Sequence, residues 1–210
     1  MKRERALRIV GLDLAGSETR RTGFCSMDQG LSCRTKVLYT DEEVIRETLS
    51  QEPDVVSIDA PLFLPKGRES LEVKGPPHFR ACDRELLRMK IRFFPISLGP
   101  MRKLTRRGMS LRSVFEGSGL RVIESFPGAI QDMLGMPRKQ EGLEKLRMAL
   151  IRYGAGGEID RNDLTGDELD AITCALVGKM LLEGDYLAIG DPEEGLMILP
   201  KWTSHKSAGS

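Results

Sequence analysis

The sequence predicts a mixed α/β sheet flanked by helices, with strands 1–3 antiparallel and strands 4 and 5 parallel beside strand 1. Three observations predict it. Three apolar runs within the first 40 residues are joined by short turns and read as a meander. Later apolar runs alternate with helix-length segments, a pattern that calls for parallel pairing through crossover helices. Finally, the first and fourth runs both stop at an aspartate, Asp13 and Asp59. In such sheets, sites form beyond the carboxyl ends of the central strands.

The elements follow in order. Strands are expected at 7–13, 21–28 and 32–40, the last two joined by a turn at Gly30. A helix starts near Asp41 (DEEVIRETLS), where acids in the first turn suit the positive end of the helix dipole. The strand 54–60 is apolar throughout, as a strand buried on both faces is, and Pro61 and Pro65 end it. A Gly/Pro-containing loop (65–77) precedes a helix at about 78–90. An irregular basic stretch with Pro95 and Pro100 then leads to a helix at about 108–117 and the strand 120–126, closed by Pro127. Helices are expected near 127–134, 140–153 and 165–183, with the loop GAGGEIDRN before the last. LMILP (196–200) reads as an edge strand. Thr165 and Glu168 spell the capping box T-x-x-E at the start of helix 165–183.

At 210 residues, 40% hydrophobic and 30% charged, the chain is expected to form one domain spanning 1–210, with a basic helical insertion at about 66–118. No apolar run approaches the roughly 20 residues that span a bilayer, so no membrane is expected. The opening MKRERALRIVGLD is basic, then apolar, but Asp13 interrupts it too early for a secretory signal. Cys25, Cys33, Cys82 and Cys174 show no C-x-x-C pairing and read as reduced thiols of a cytoplasmic protein. With two histidines, His78 and His205, a Ser–His–Asp triad or an H-E-x-x-H zinc site lacks its imidazoles. The net charge of +1 hides an asymmetry: residues 66–112 carry +9 and the remainder −8. A basic block of that size attracts phosphate backbones, although a solvated basic helix pair has the same composition.

The acids carry the chemistry. Besides Asp13 and Asp59, the run LRVIES bears Glu124, and TGDELDAITCAL places Asp167 and Asp170 three apart at the opening of a helix. Singly, most have plain explanations. A strand-end aspartate bonds its own turn, and Asp167 in a helix's first turn gains roughly 0.3–1 kcal/mol from the dipole. Asp170 is different. It lies a turn further in, directly before AITCALVGKMLL, and an acid on a buried side needs a partner, a proton or a metal. Together, strand-terminal carboxylates facing a helix-borne pair suit Mg²⁺ or Mn²⁺ beside a phosphate, since these ions prefer oxygen ligands.

GLDLAGSETRRTG, SIDAPLFLP, RACDRELL, VIESFPGA and GDELDAITCAL, in this order from residue 9 to about residue 200, resemble the signature segments of domain-of-unknown-function family 429. That family is described as predicted nucleases of the RNase H-like superfamily. More distantly, the pattern is similar to RuvC-type resolvases and YqgF nucleases. The resemblance implies an RNase H-like fold and a metal-dependent nuclease acting on DNA or RNA. It also implies Asp13, Asp59 and Asp170 as ligands of Mg²⁺ or Mn²⁺, with Asp167 or Glu124 assisting. At the strand-four position this chain has Asp59 where RuvC-type enzymes have glutamate. Arg20, Arg21 and Arg80 are expected at substrate phosphates, because guanidinium forks match phosphate oxygens, as are Arg102, Lys103, Arg106 and Arg107 of the basic block. For Arg80, an ion pair with Asp83 is the alternative. A second reading is a non-catalytic nucleic-acid-binding module. A third is a phosphotransferase of the actin–hexokinase type, whose D-x-G-[ST] hairpin Asp13-Leu14-Ala15-Gly16-Ser17 approaches. That type needs a second glycine-rich hairpin after strand four, where this chain has APLFLP.

Overall fold

The computed structural model describes residues 6–201, so residues 1–5 of the basic N-terminal stretch and His205 lie outside it. Strands β1 (Arg8–Asp13), β2 (Thr22–Asp28) and β3 (Ser32–Leu38) form the expected meander. Helix α1 (Asp41–Ser50) follows, capped reciprocally by Thr40 and Glu43. Strand β4 (Val55–Asp59) pairs parallel to β1, and β5 (Val122–Ser125) pairs parallel to β4. Between them lie α2 (Ala81–Arg88) and α3 (Gly99–Gly117). After β5 come α4 (Pro127–Leu134), a 3-10 turn at Lys139–Glu141, α5 (Leu143–Tyr153), the two-residue β6 (Gly156–Gly157) and α6 (Gly166–Glu183). A hairpin of β7 (Tyr186–Asp191) and β8 (Gly195–Pro200) completes one eight-stranded sheet, ordered β6-β3-β2-β1-β4-β5-β8-β7.

Strand parity divides the core in two. Ile9, Cys25 and Val55 face a cluster with residues of α2, α4, α5 and α6, while Val10, Leu12, Val56 and Ile58 face Val44 of α1 and Leu111 and Phe115 of α3. Helix α6, buried along most of its length, lies against the centre of the first face. Two glycines let it approach. A Cβ on Gly11 would sit 2.1 Å from the Ala171 carbonyl oxygen, and one on Gly23 would sit 1.9 Å from that of Asp167. No side chain fits at either contact, so these glycines set the height of α6 over β1 and β2.

Three stretches depart from the sequence reading. Residues 99–107, expected to be irregular because of Pro100, are helical. Pro100 falls in the first turn of α3, where a missing N–H costs nothing. Strand β7 was not expected, and because it pairs outside β8, the run LMILP is an inner strand between β5 and β7 rather than the edge it was read as. Ile189 is the one buried residue of β7, so that half-exposed run lacks a continuous apolar signal. The loop GAGGEIDRN also holds β6 and a 3-10 turn, Glu158–Asp160.

Candidate active site

Asp13 and Asp59 end neighbouring strands and are direct partners in the parallel register of β1 and β4. Both share strand parity with Gly11 and Ser57, the face that α6 covers. On that helix, Thr165 caps the first turn with Glu168 as expected, and Asp167 and Asp170 come down beside Asp13. One side chain joins them. The ammonium of Lys139 lies 3.1 Å from Asp13 Oδ2, 3.3 Å from Asp167 Oδ1 and 2.8 Å from Asp170 Oδ2. Because all three contacts end on one nitrogen, the Asp13 and Asp170 oxygens lie within about 6 Å of each other. Gln131 of α4, fully buried, donates its amide to Asp170 Oδ1 at 2.7 Å and fixes that carboxylate from behind.

One ammonium does not balance four acids. Burial, helped by the negative charges of Asp170 and Asp167 and opposed by Lys139, pushes the Asp13 carboxyl up to about 7. Burial and the charges of Asp13 and Asp170 push Asp59 well above the ordinary carboxylate range. Lys139 itself is held above the ordinary lysine range, because the attraction of Asp13 and Asp170 outweighs its own desolvation. Among the described residues, no group of three or more His, Cys, Asp or Glu stands ready to hold a metal ion. The carboxylates converge on Lys139 instead. By donor chemistry the set still suits a hard divalent cation: all-oxygen ligands, partly buried, with too little positive charge among them.

Glu124, expected to assist, is not a partner of Lys139, although it lines a cavity with Asp59 and its charge adds to the rise of the Asp59 carboxyl. It pairs in register with Ile58, on the other parity from Asp59. Its carboxylate accepts from the Leu62 amide at 2.8 Å and from Arg80 Nη1 at 2.7 Å. Arg80 also grips Asp83 through Nε and Nη2 and is 3% exposed, so the ion-pair alternative holds and the guanidinium faces no solvent. Arg107 is likewise internal, bonded to Asp41 and to the carbonyls of Ala15 and Tyr39, where it ties the β1–β2 turn to α3. Arg107 is thus tied into the fold, while Arg80, held by its two carboxylates, lies in the lining of the cavity that also includes Asp59. Arg106 pairs with Glu72 on the surface. Arg20 and Arg21 are exposed at the rim, Arg21 being 3.6 Å from Asp167. Arg102 and Lys103 on α3 have no ion-pair partner among the described residues.

The cluster opens on both sides. A cavity of about 720 Å³ is lined by Asp13, Asp167, Arg20 and Arg21. A second, of about 750 Å³, includes Asp59 in its wall. Met101 and Leu104 of α3 line both and form the ridge between them. Lys139 and Gln131 were invisible in the sequence. Each sits on an element with no local motif, and only the packing of α4 and its following turn against α6 gives them a role.

Residues 11–195 match the family model described as "Protein of unknown function (DUF429)". The chain belongs to the DUF429 family. No curated protein matches this DUF429 chain. Among solved structures it is similar to RuvC of T. thermophilus in complex with a Holliday junction substrate. That match has 14% identity, covers 85% of this chain and 97% of that one, and has a TM-score of 0.51. A second structure of Thermus thermophilus RuvC matches at 12% identity over the same shares, with a TM-score of 0.49. The DUF429 chain thus has the RNase H-like fold that the motif order implied.

Proposed function

We propose that the chain is a divalent-metal-dependent nuclease that hydrolyses phosphodiester bonds in DNA or RNA. The observation that carries the reading is the gathering of Asp13, Asp167 and Asp170 on one ammonium, with Asp59 beside Asp13, at the carboxyl edge of an RNase H-like sheet. That the similar RuvC structure holds a Holliday junction supports nucleic acid as the partner class. Asp13, Asp59 and Asp170 would hold Mg²⁺ or Mn²⁺, with Asp167 adjoining. When bound, such an ion supplies Lewis-acid polarisation of the phosphodiester and a lowered pKa for water. Without it, Lys139 keeps the carboxylates together. Gln131 holds Asp170 in place in either state. Arg20 and Arg21 at the rim, with Arg102, Lys103 and Arg106 on α3, would position the backbone by charge without reading bases. In this reading the segment 66–118 between β4 and β5 is a basic insertion that widens the substrate track. The four cysteines, buried and free, suit a reducing cytoplasmic setting. Among the described residues no helix is long and apolar enough to cross a membrane.

One observation favours the non-catalytic alternative. Lys139 already neutralises part of the cluster, as it would in a binding module whose acids are structural. Metal dependence separates the two. Single- and double-stranded DNA and RNA, incubated with Mn²⁺ or Mg²⁺, should be cut by the wild type and not by Asp13→Asn from a matched preparation. Cleavage that persists in Asp13→Asn would mean a contaminant, and binding without cleavage would leave the module reading standing.

A further inference from the structure

The cavity on the Asp59 side differs in character from the one on the Asp13 side. The Asp13 side is polar, with Arg20 and Arg21 on its rim. The Asp59 side is walled by Leu87, Phe93, Phe94, Met101, Leu104 and Phe126. Two of these apolar side chains stand open to water in one wall: Phe94 is 68% exposed and Leu87 53%. Phe93 is anchored, its ring edge-on to Phe79 at 6.0 Å, whereas Phe94 has no ring partner among the described residues. Basic groups share the wall. Lys90 and Arg92 are exposed and have no acidic partner among the described residues, while Arg138 is held by Asp132.

A free aromatic face, an apolar wall and unpaired cations, adjoining carboxylates that would act on a phosphodiester, match one chemical class. A nucleobase is flat and stacks on a ring, and the phosphate it carries pairs with the cations. A volume of about 750 Å³ admits a nucleoside with room to spare. A base inside a duplex cannot enter, because both its faces are already stacked.

We propose that this cavity seats one unpaired nucleobase next to the phosphodiester presented to Asp59, stacked on Phe94 with its phosphate between Lys90 and Arg92. The proposal rests on the nuclease reading and narrows it. The preferred substrate is a strand with an unpaired base at the reacting position, in a single strand or a bulge, rather than a continuous duplex.

The test measures binding by fluorescence anisotropy in EDTA, which prevents cleavage. Three probes share one sequence: a single strand, the blunt duplex, and the duplex with one bulged 2-aminopurine. Wild type should bind the single strand and the bulge more tightly than the duplex, and the emission of the bulged base should change on binding. Phe94→Ala should weaken those two at least about fivefold and leave the duplex within about twofold. Phe94→Trp should restore them, and unchanged melting of both variants would show that the fold is kept. Equal binding of all three probes, or an equal loss on all three in Phe94→Ala, would overturn the base pocket while leaving the nuclease reading intact. Tight binding of a free mononucleotide with no preference among the strands would overturn it too. Failure of wild type to bind any nucleic acid would remove the nuclease reading itself, and the pocket with it.

Discussion

Two groups of acids lie at the carboxyl ends of the central strands, and each is held by one basic side chain. In the first, Arg80 donates three side-chain hydrogen bonds to Asp83 and Glu124, Leu62 adds a backbone donor, and every member is nearly inaccessible. The charge of the guanidinium is raised in stability by Glu124 and Asp83, against its own desolvation. In the second, Lys139 touches three of four carboxylates through one nitrogen and remains 29% exposed. A planar fork can satisfy two carboxylates geometrically, whereas an ammonium is a point charge that can be displaced. The difference separates a charge-balanced, tightly bonded network from a more exposed cluster with a charge deficit.

Removing the cation from each side sharpens that contrast, and the first effect is the largest. Arg80→Met would leave Glu124 and Asp83 buried without a counter-charge and should cost about 3–5 kcal/mol in urea unfolding. Lys139→Met should cost far less, because Lys139 is 29% exposed and water can reach the space it leaves beside Asp13 and Asp167.

Next comes the close packing that brings the acids together. Gly23→Ala places a methyl inside the contact with the Asp167 carbonyl. Helix α6 must move, at about 1–3 kcal/mol, and any stabilisation by Mn²⁺ should shrink with it. A variant that folds with a full metal response would show that the height of α6 does not set the site.

A smaller effect lies in the pH dependence. With Asp13 up to about 7 in the folded chain against an ordinary 3.8, the folded state binds more protons across that interval. Metal-free stability should therefore fall as pH rises from about 4 to about 7, and the part due to Asp13 should vanish in Asp13→Asn. Parallel slopes for the two proteins would show that Asp13 titrates normally.

Much of this was legible in the sequence because it is local. The strand-ending aspartates, the T-x-x-E cap and the order of apolar runs are all read within a few residues. The meander and the parallel β4 and β5 followed from connection lengths. What could not be read is tertiary. Lys139 reaches Asp13 across 126 residues, and its short turn carries no motif. The Arg80–Asp83 pair was open to the sequence as an alternative, but the reach of Arg80 to Glu124 and the internal role of Arg107 depend on which carboxylates and carbonyls the fold brings to them. The family resemblance named Glu124 but could not give its parity, and in register with Ile58 it faces away from Asp59 and meets Arg80, since one residue's shift turns a side chain to the other face.

The central claim is that the Lys139 cluster is a site for a divalent cation, and the response of thermal stability to Mn²⁺ tests it most directly. Wild type should melt higher as Mn²⁺ rises to the millimolar range, by the equivalent of about 2.7 kcal/mol at a hundredfold excess over the dissociation constant. Asp13→Asn should lose that response. Lys139→Met should keep it and reach it at lower Mn²⁺, since no ammonium competes for the same oxygens. An unchanged melting temperature for wild type and Lys139→Met across the titration would contradict the claim and leave the four carboxylates a structural cluster.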